Sequence, residues 1–171
     1  MKTAFRRTVL TALLLAALPA AQAAVQNYSF NGVLDSGALI GQSYSGSFSY
    51  DDTALTGIDT EWLSVTTLSM SFMNTNYTLA NANALAPTEV GYYNGTFLGL
   101  SYSVDSSFPK FSLIAGYEDV SQAYLAYDPA AGLSGFGSVV YAPVPEPETY
   151  ALLLAGLGLL GAVSRRRAKA A

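Results

Sequence analysis

Residues 43–52 read SYSGSFSYDD, and Tyr44, Gly46, Phe48 and Tyr50 alternate there with Ser43, Ser45, Ser47 and Ser49. Successive side chains on an extended chain point to opposite faces, so a period of two means one apolar face and one hydroxylated face. The pattern recurs outward from this stretch. Leu98, Leu100, Tyr102 and Val104 alternate with Gly99, Ser101 and Ser103, and Phe111, Leu113, Ala115 and Tyr117 share a phase in residues 111–117. Weaker strands are expected around residues 28–33, 77–79, 123–127 and 136–141. In residues 61–72, EWLSVTTLSMSF, the apolar phase changes at Thr66-Thr67, from Leu63 and Val65 to Leu68, Met70 and Phe72. A bulge there keeps both halves facing inward. Turn residues such as Asp35-Ser36-Gly37, Asn94-Gly95 and Asp128-Pro129 separate the runs, and residues 80–86, ANANALA, suit a helical turn or a long loop. No window between residues 24 and 142 carries a capped apolar period of 3.6. The expected fold is all-β, an antiparallel β-sandwich of about eight strands.

The body, residues 24–142, is bracketed by two apolar segments in the 171-residue chain. The start, MKTAFRRTVLTALLLAALPAAQA, has cationic Lys2, Arg6 and Arg7, an apolar run from Val9 to Leu18, and small residues at Ala21 and Ala23. That order is a signal-peptide helix over residues 1–23, cut after Ala23 by signal peptidase once the secretory translocon has engaged it. Its ten or so apolar residues make about 15 Å of helix, half the bilayer's hydrocarbon core.

Between residues 24 and 144 one base, Lys110, faces ten acids, a net charge of −9. Such a surface repels phosphate backbones, which argues against nucleic acid as a partner. The chain has no cysteine and no histidine. The Ser-His-Asp triad, the Cys-His nucleophile and the usual zinc sites are therefore out of reach, and the fold rests on burial and strand pairing without disulfides. Carboxylate pairs remain, but neighbours such as Asp51-Asp52 or Glu118-Asp119 point to opposite faces of a strand and cannot act on one bond. The expectation is no catalytic residue, no metal site and no cofactor.

The end reads VPEPETYALLLAGLGLLGAVSRRRAKAA from Val144. Prolines 143, 145 and 147 fix their own φ and donate no backbone hydrogen bond, so residues 143–149 form an extended hinge that stands clear of a sheet. The uncharged stretch in residues 150–164 is expected to be a transmembrane helix. At about 21 Å from Tyr150 to Val163 it is short of the roughly 30 Å it must cross. Gly156, Gly158 and Gly161 weaken it further. The basic tail, residues 165–171, carries Arg165, Arg166, Arg167 and Lys169; by the positive-inside rule it stays in the cytoplasm and puts the body outside.

These three parts in this order resemble the PEP-CTERM sorting signal of Gram-negative, exopolysaccharide-producing bacteria. The resemblance implies Pro145, Glu146 and Pro147 as the recognition motif, Arg165 to Arg167 as the stop signal, and an exosortase in the inner membrane as the processing partner. It implies an exported, non-enzymatic cell-surface or matrix protein, held first at the inner membrane with its body in the periplasm. Two alternatives stay open: a carbohydrate-binding module for exopolysaccharide, suggested by twelve tyrosines, and an uncleaved single-pass membrane protein. The position of Trp62 and the tyrosine rings, exposed on one sheet face or buried, discriminates the carbohydrate reading.

Overall fold

The computed structural model describes residues 25–145, 153–158 and 160. Nine strands follow in chain order: β1 (Val25–Leu34), β2 (Ser43–Asp51), β3 (Thr60–Phe72), β4 (Thr75–Thr78), β5 (Glu89–Tyr93), β6 (Thr96–Val104), β7 (Lys110–Ile114), β8 (Tyr124–Asp128) and β9 (Gly135–Pro143). Every pairing is antiparallel, in the order β2-β1-β9-β8-β7-β6-β5-β3-β4.

The expected sandwich is corrected to a closed barrel. β2 pairs with β3 from Tyr44↔Phe72 to Tyr50↔Val65, which joins the two ends of the sheet. Eight strands close, and β4 is an extra strand on the far half of β3, beside Ser69–Phe72. Both architectures give each strand one inner face and so the same alternation; only long-range pairing separates them. At 13 residues, β3 is long enough to serve β2 along one edge and β5 and β4 along the other.

The inner face is filled. Phe30, Phe48, Tyr50, Met70, Phe72, Leu100, Tyr102, Phe111, Leu113 and Leu125 lie at 3% exposure or less. Stacked and edge-on rings, Tyr28 against Phe97 and Tyr77 against Phe111 among them, run through this core. Burying side chains of this size contributes about 1.5–3 kcal/mol each, which lets a body without disulfides hold together. The wet face of β2 continues across its neighbours, Ser45 beside Asn31 and Ser71, Ser47 beside Ser29 and Ser69.

The bulge falls where the phase change puts it. Ser49 pairs with Thr67 and Tyr50 with Val65, so Thr66 is the extra residue. The Thr66 hydroxyl donates to the Ser49 carbonyl at 2.9 Å, and the buried Ser49 hydroxyl lies 2.6 Å from that of Thr67. A second bulge sits between Gly91↔Gly99 and Tyr92↔Phe97, at Leu98.

Two features depart from the sequence pattern. Strand β5 has too little alternation to announce itself: Val90 and Tyr92 face the core, while outward Gly91 is covered by the Trp62 ring, which a Cβ there would approach to 2.9 Å. Strand β7 stops at Ile114, and Tyr117, expected in phase with Leu113, is 83% exposed. A 3₁₀ turn at Val120–Gln122, capped by Asp119, takes the chain out of the sheet instead. Residues 80–86 give a 3₁₀ turn, Leu79–Asn81, closed by a capping box between Thr78 and Asn81, and then a loop.

Candidate sorting site and the pole that carries it

The barrel has two poles. Strands β1 and β9 are antiparallel neighbours, with Tyr28 opposite Pro143, so the start of one and the end of the other lie at the same pole. That pole also holds the 52–59 loop between β2 and β3 and the Asn94-Gly95 turn between β5 and β6. Towards it the wall opens between the start of β6 and the end of β9, because β7 reaches β6 only from Tyr102 to Val104 and β8 reaches β9 only up to Ser138. Residues 115–123 fill the gap. Gly116 donates its amide to Leu98 at 2.8 Å, and the Tyr141 ring crosses the interior to accept the Leu100 amide at 3.2 Å.

The last ladder contact belongs to Val144, whose amide donates to the Asn27 carbonyl at 2.7 Å. Pro143 fits the end of β9 because the Val144 amide is the one that points to β1, so the missing N–H of Pro143 falls on the opposite side, where β8 pairs only up to Ser138. Pro145 follows, exposed and outside any strand. Of the sequence-derived sites this is the one within the described residues; Ala21, Ala23, Glu146, Pro147, Arg165, Arg166 and Arg167 lie outside them. Residues 153–158 and 160 of the apolar run are helical, and Leu153, Leu154, Leu157 and Leu160 are at least 56% exposed, so the barrel does not cover them. Among the described residues no helix is long and apolar enough to cross a membrane.

Seven of the ten acids of the body accept hydrogen bonds from the body itself. Asp51 accepts the Thr53 amide and hydroxyl, at 2.8 and 2.6 Å, which holds its carboxyl below the usual range. Its neighbour Asp52 turns to Gln26 at 2.8 Å. Glu61 organises the 52–59 loop by accepting the Thr56 amide and hydroxyl and the Gly57 amide, and its carboxyl is lowered chiefly by the Thr56 amide. Asp119 accepts the Ser121 amide at 2.7 Å and is likewise lowered. Among the described residues no group of three or more Asp or Glu could hold a metal ion.

The rings are mostly inside. Tyr44, Tyr50, Tyr77, Tyr92, Tyr102 and Tyr127 are buried, whereas Trp62 and Tyr93 lie diagonally on the outer face of β3 and β5, and Tyr117 and Tyr124 reach solvent elsewhere. Tyr124 and Phe136 lie diagonally on the outer face of β8 and β9, beside a cleft of about 380 Å³ that Asp35, Gln122 and Ser138 also line. Nothing in the local pattern flagged this cleft, because it is made by two strands and the 3₁₀ turn at Val120–Gln122 together.

Compared with known families, residues 143–167 match the PEP-CTERM protein-sorting motif. The matched span begins at the last residue of β9 and contains Pro145-Glu146-Pro147 and Arg165 to Arg167. No curated protein and no solved structure matches the chain. The protein thus carries a PEP-CTERM motif near its C-terminus, and this motif implies an exported, membrane- or cell-surface-sorted protein processed by an exosortase.

Proposed function

We propose that the barrel is a non-enzymatic cargo of the cell surface or extracellular matrix, delivered by the sorting motif and released when an exosortase cuts near Pro145-Glu146-Pro147. The observation that carries this reading is the handover at Val144: the ladder ends there, and the next residue, Pro145, is exposed and outside any strand, where a processing enzyme can reach it without unfolding the barrel. The hydrogen bonds that hold Asp51, Glu61 and Asp119 in their loops and Asp52 against Gln26 of β1 support a body without a carboxylate catalytic pair. Arg165, Arg166 and Arg167 act as the cytoplasmic plug and Ala21 and Ala23 as the signal-peptidase site. Pulse-labelling with mass spectrometry of the mature C-terminus tests it. Loss of the arginine tail in an exosortase-active strain is expected; an intact tail makes the chain an uncleaved single-pass protein instead.

A second reading, a carbohydrate-binding module, draws support from Tyr124 and Phe136 beside their cleft, since sugars stack on exposed rings and bond to nearby carboxylates and hydroxyls. With most tyrosines turned inward, its support narrows to this cleft and to Trp62 and Tyr93 on the outer face of β3 and β5. Affinity electrophoresis of the mature protein in the organism's own polysaccharide decides it: retardation abolished by Phe136→Ala supports the module, and unretarded migration ends it.

A further inference from the structure

The strap joining barrel to apolar run is short. Val144 is the last residue held by the ladder and Tyr150 opens the uncharged run, leaving residues 145–149 between them. Fully extended and proline-rich, five residues span about 16 Å. A barrel wall of nine-residue strands, tilted as closure requires, stands about 23 Å tall. The strap cannot reach around that height, so a chain tethered through its apolar run holds one pole toward the bilayer: the pole where β1 begins and β9 ends.

We propose that this pole is a lipid-facing surface, and that its three loops rest on the headgroup layer of the membrane that holds the tail. The inference rests on the sorting reading, in that it takes the apolar run to be inserted. The pole offers Ile58 on the 52–59 loop, 67% exposed, Tyr93 at the Asn94-Gly95 turn and Tyr117 on the 115–123 segment. Tyrosine is the residue type that settles at a membrane–water boundary, ring toward lipid and hydroxyl toward water. The acids Asp51, Asp52, Asp59, Glu61, Glu118 and Asp119 share this end, so it suits a zwitterionic rather than an anionic headgroup layer, and the contact is shallow, at headgroup depth rather than in hydrocarbon. The outer wall of β2 and β3, by contrast, is ranked serine and threonine, which gains nothing from lipid.

The absence of cysteine from the chain makes the test clean. In the full-length protein, reconstituted in zwitterionic phosphatidylcholine vesicles carrying a headgroup spin label, single fluorophores are placed by Ile58→Cys and Tyr117→Cys at the proposed face. Val140→Cys marks the wall, Leu133→Cys the opposite pole, and Leu154→Cys the tail, read with an acyl-chain spin label. Quenching at residues 58 and 117 several-fold above that at 133 and 140 is the expected result. A quenched tail with equal quenching at all four barrel sites, or with stronger quenching at 133 or 140, overturns the orientation alone. An unquenched tail overturns the inserted-run reading and the orientation with it. A flexible Gly/Ser insertion after Glu148 should lower quenching at 58 and 117 several-fold; unchanged quenching refutes the claim that strap length sets the pose.

Discussion

Val144 donates its amide to the carbonyl of Asn27 at 2.7 Å, so the residue that precedes Pro145-Glu146-Pro147 is tied to the first strand of the barrel. Val144→Pro removes the donor and frays the end of β9. A lost hydrogen bond of this kind costs about 1 kcal/mol, or a fall of about 4 °C in the thermal midpoint of a body this size. Val144→Ala keeps the donor and should leave the midpoint within about 1 °C on the same scale. Equal midpoints for the two variants, measured by circular dichroism, would show that the bond does not hold the strip.

The bulge at Thr66 makes a contrast between two deletions. Removing Thr66 leaves Leu63, Val65 and Leu68 in one phase and preserves the Ser49↔Thr67 and Tyr50↔Val65 pairs, so the expected loss is about 1–3 kcal/mol from the bonds to Ser49. Removing Ser64 turns Leu63 outward and should abolish cooperative unfolding. Urea melts distinguish them, and similar curves would contradict the assigned register.

Trp62 is the chain's single tryptophan, and its ring covers Gly91. Gly91→Val pushes the indole off the sheet into water. Its emission maximum should shift to the red while stability changes by about 1 kcal/mol or less, because a side chain rather than the backbone moves. An unshifted spectrum would mean that the ring does not lie there.

Tyr44, Tyr50 and Tyr102 carry buried phenols whose pKa values are raised first of all by burial, Tyr102 to about 12. The hydroxyls of Tyr44 and Tyr102 donate to the Ser138 and Thr78 carbonyls, at 2.7 and 2.8 Å, and Tyr50 bonds the Tyr92 hydroxyl. A pKa raised in the fold means that the stabilisation is whole below the ordinary value of 10.0 and is lost as pH climbs past it. Alkaline titration should therefore show tyrosinate absorbance from these residues rising together with loss of the near-ultraviolet dichroism. Their ionisation with the dichroism intact would count against burial.

Core packing gives the plainest test. Phe48, 2% exposed and stacked against Tyr28, should lose about 3–5 kcal/mol as Phe48→Ala, whereas its outward neighbour changed as Ser47→Ala should stay within about 0.5 kcal/mol. Guanidinium melts read the difference, and comparable losses would sink the assignment of faces.

What was legible in the chain was local. Alternation in residues 43–50 and 98–104 named the inner face, and the phase slip at Thr66-Thr67 located a bulge, since a period of two betrays any inserted residue. The sorting motif was legible for the same reason: its parts are contiguous and their order carries the meaning. Strand β5 escaped because Gly91 owes its cover to Trp62, which sits on another strand. The barrel escaped because its closure is the β2–β3 ladder, and the shared pole because β1 and β9 meet from opposite ends of the body. Pairings of that range leave no trace in periodicity.

Strand β9 sits between β1 and β8, and it is the last strand made. Until it arrives, two ladder edges stand bare and the wall has a missing stave. An exported chain threads out start first, so the final stave clears the membrane only when the strip behind it is about to follow. Completion of the fold and emergence of the sorting motif are thereby brought close together in time.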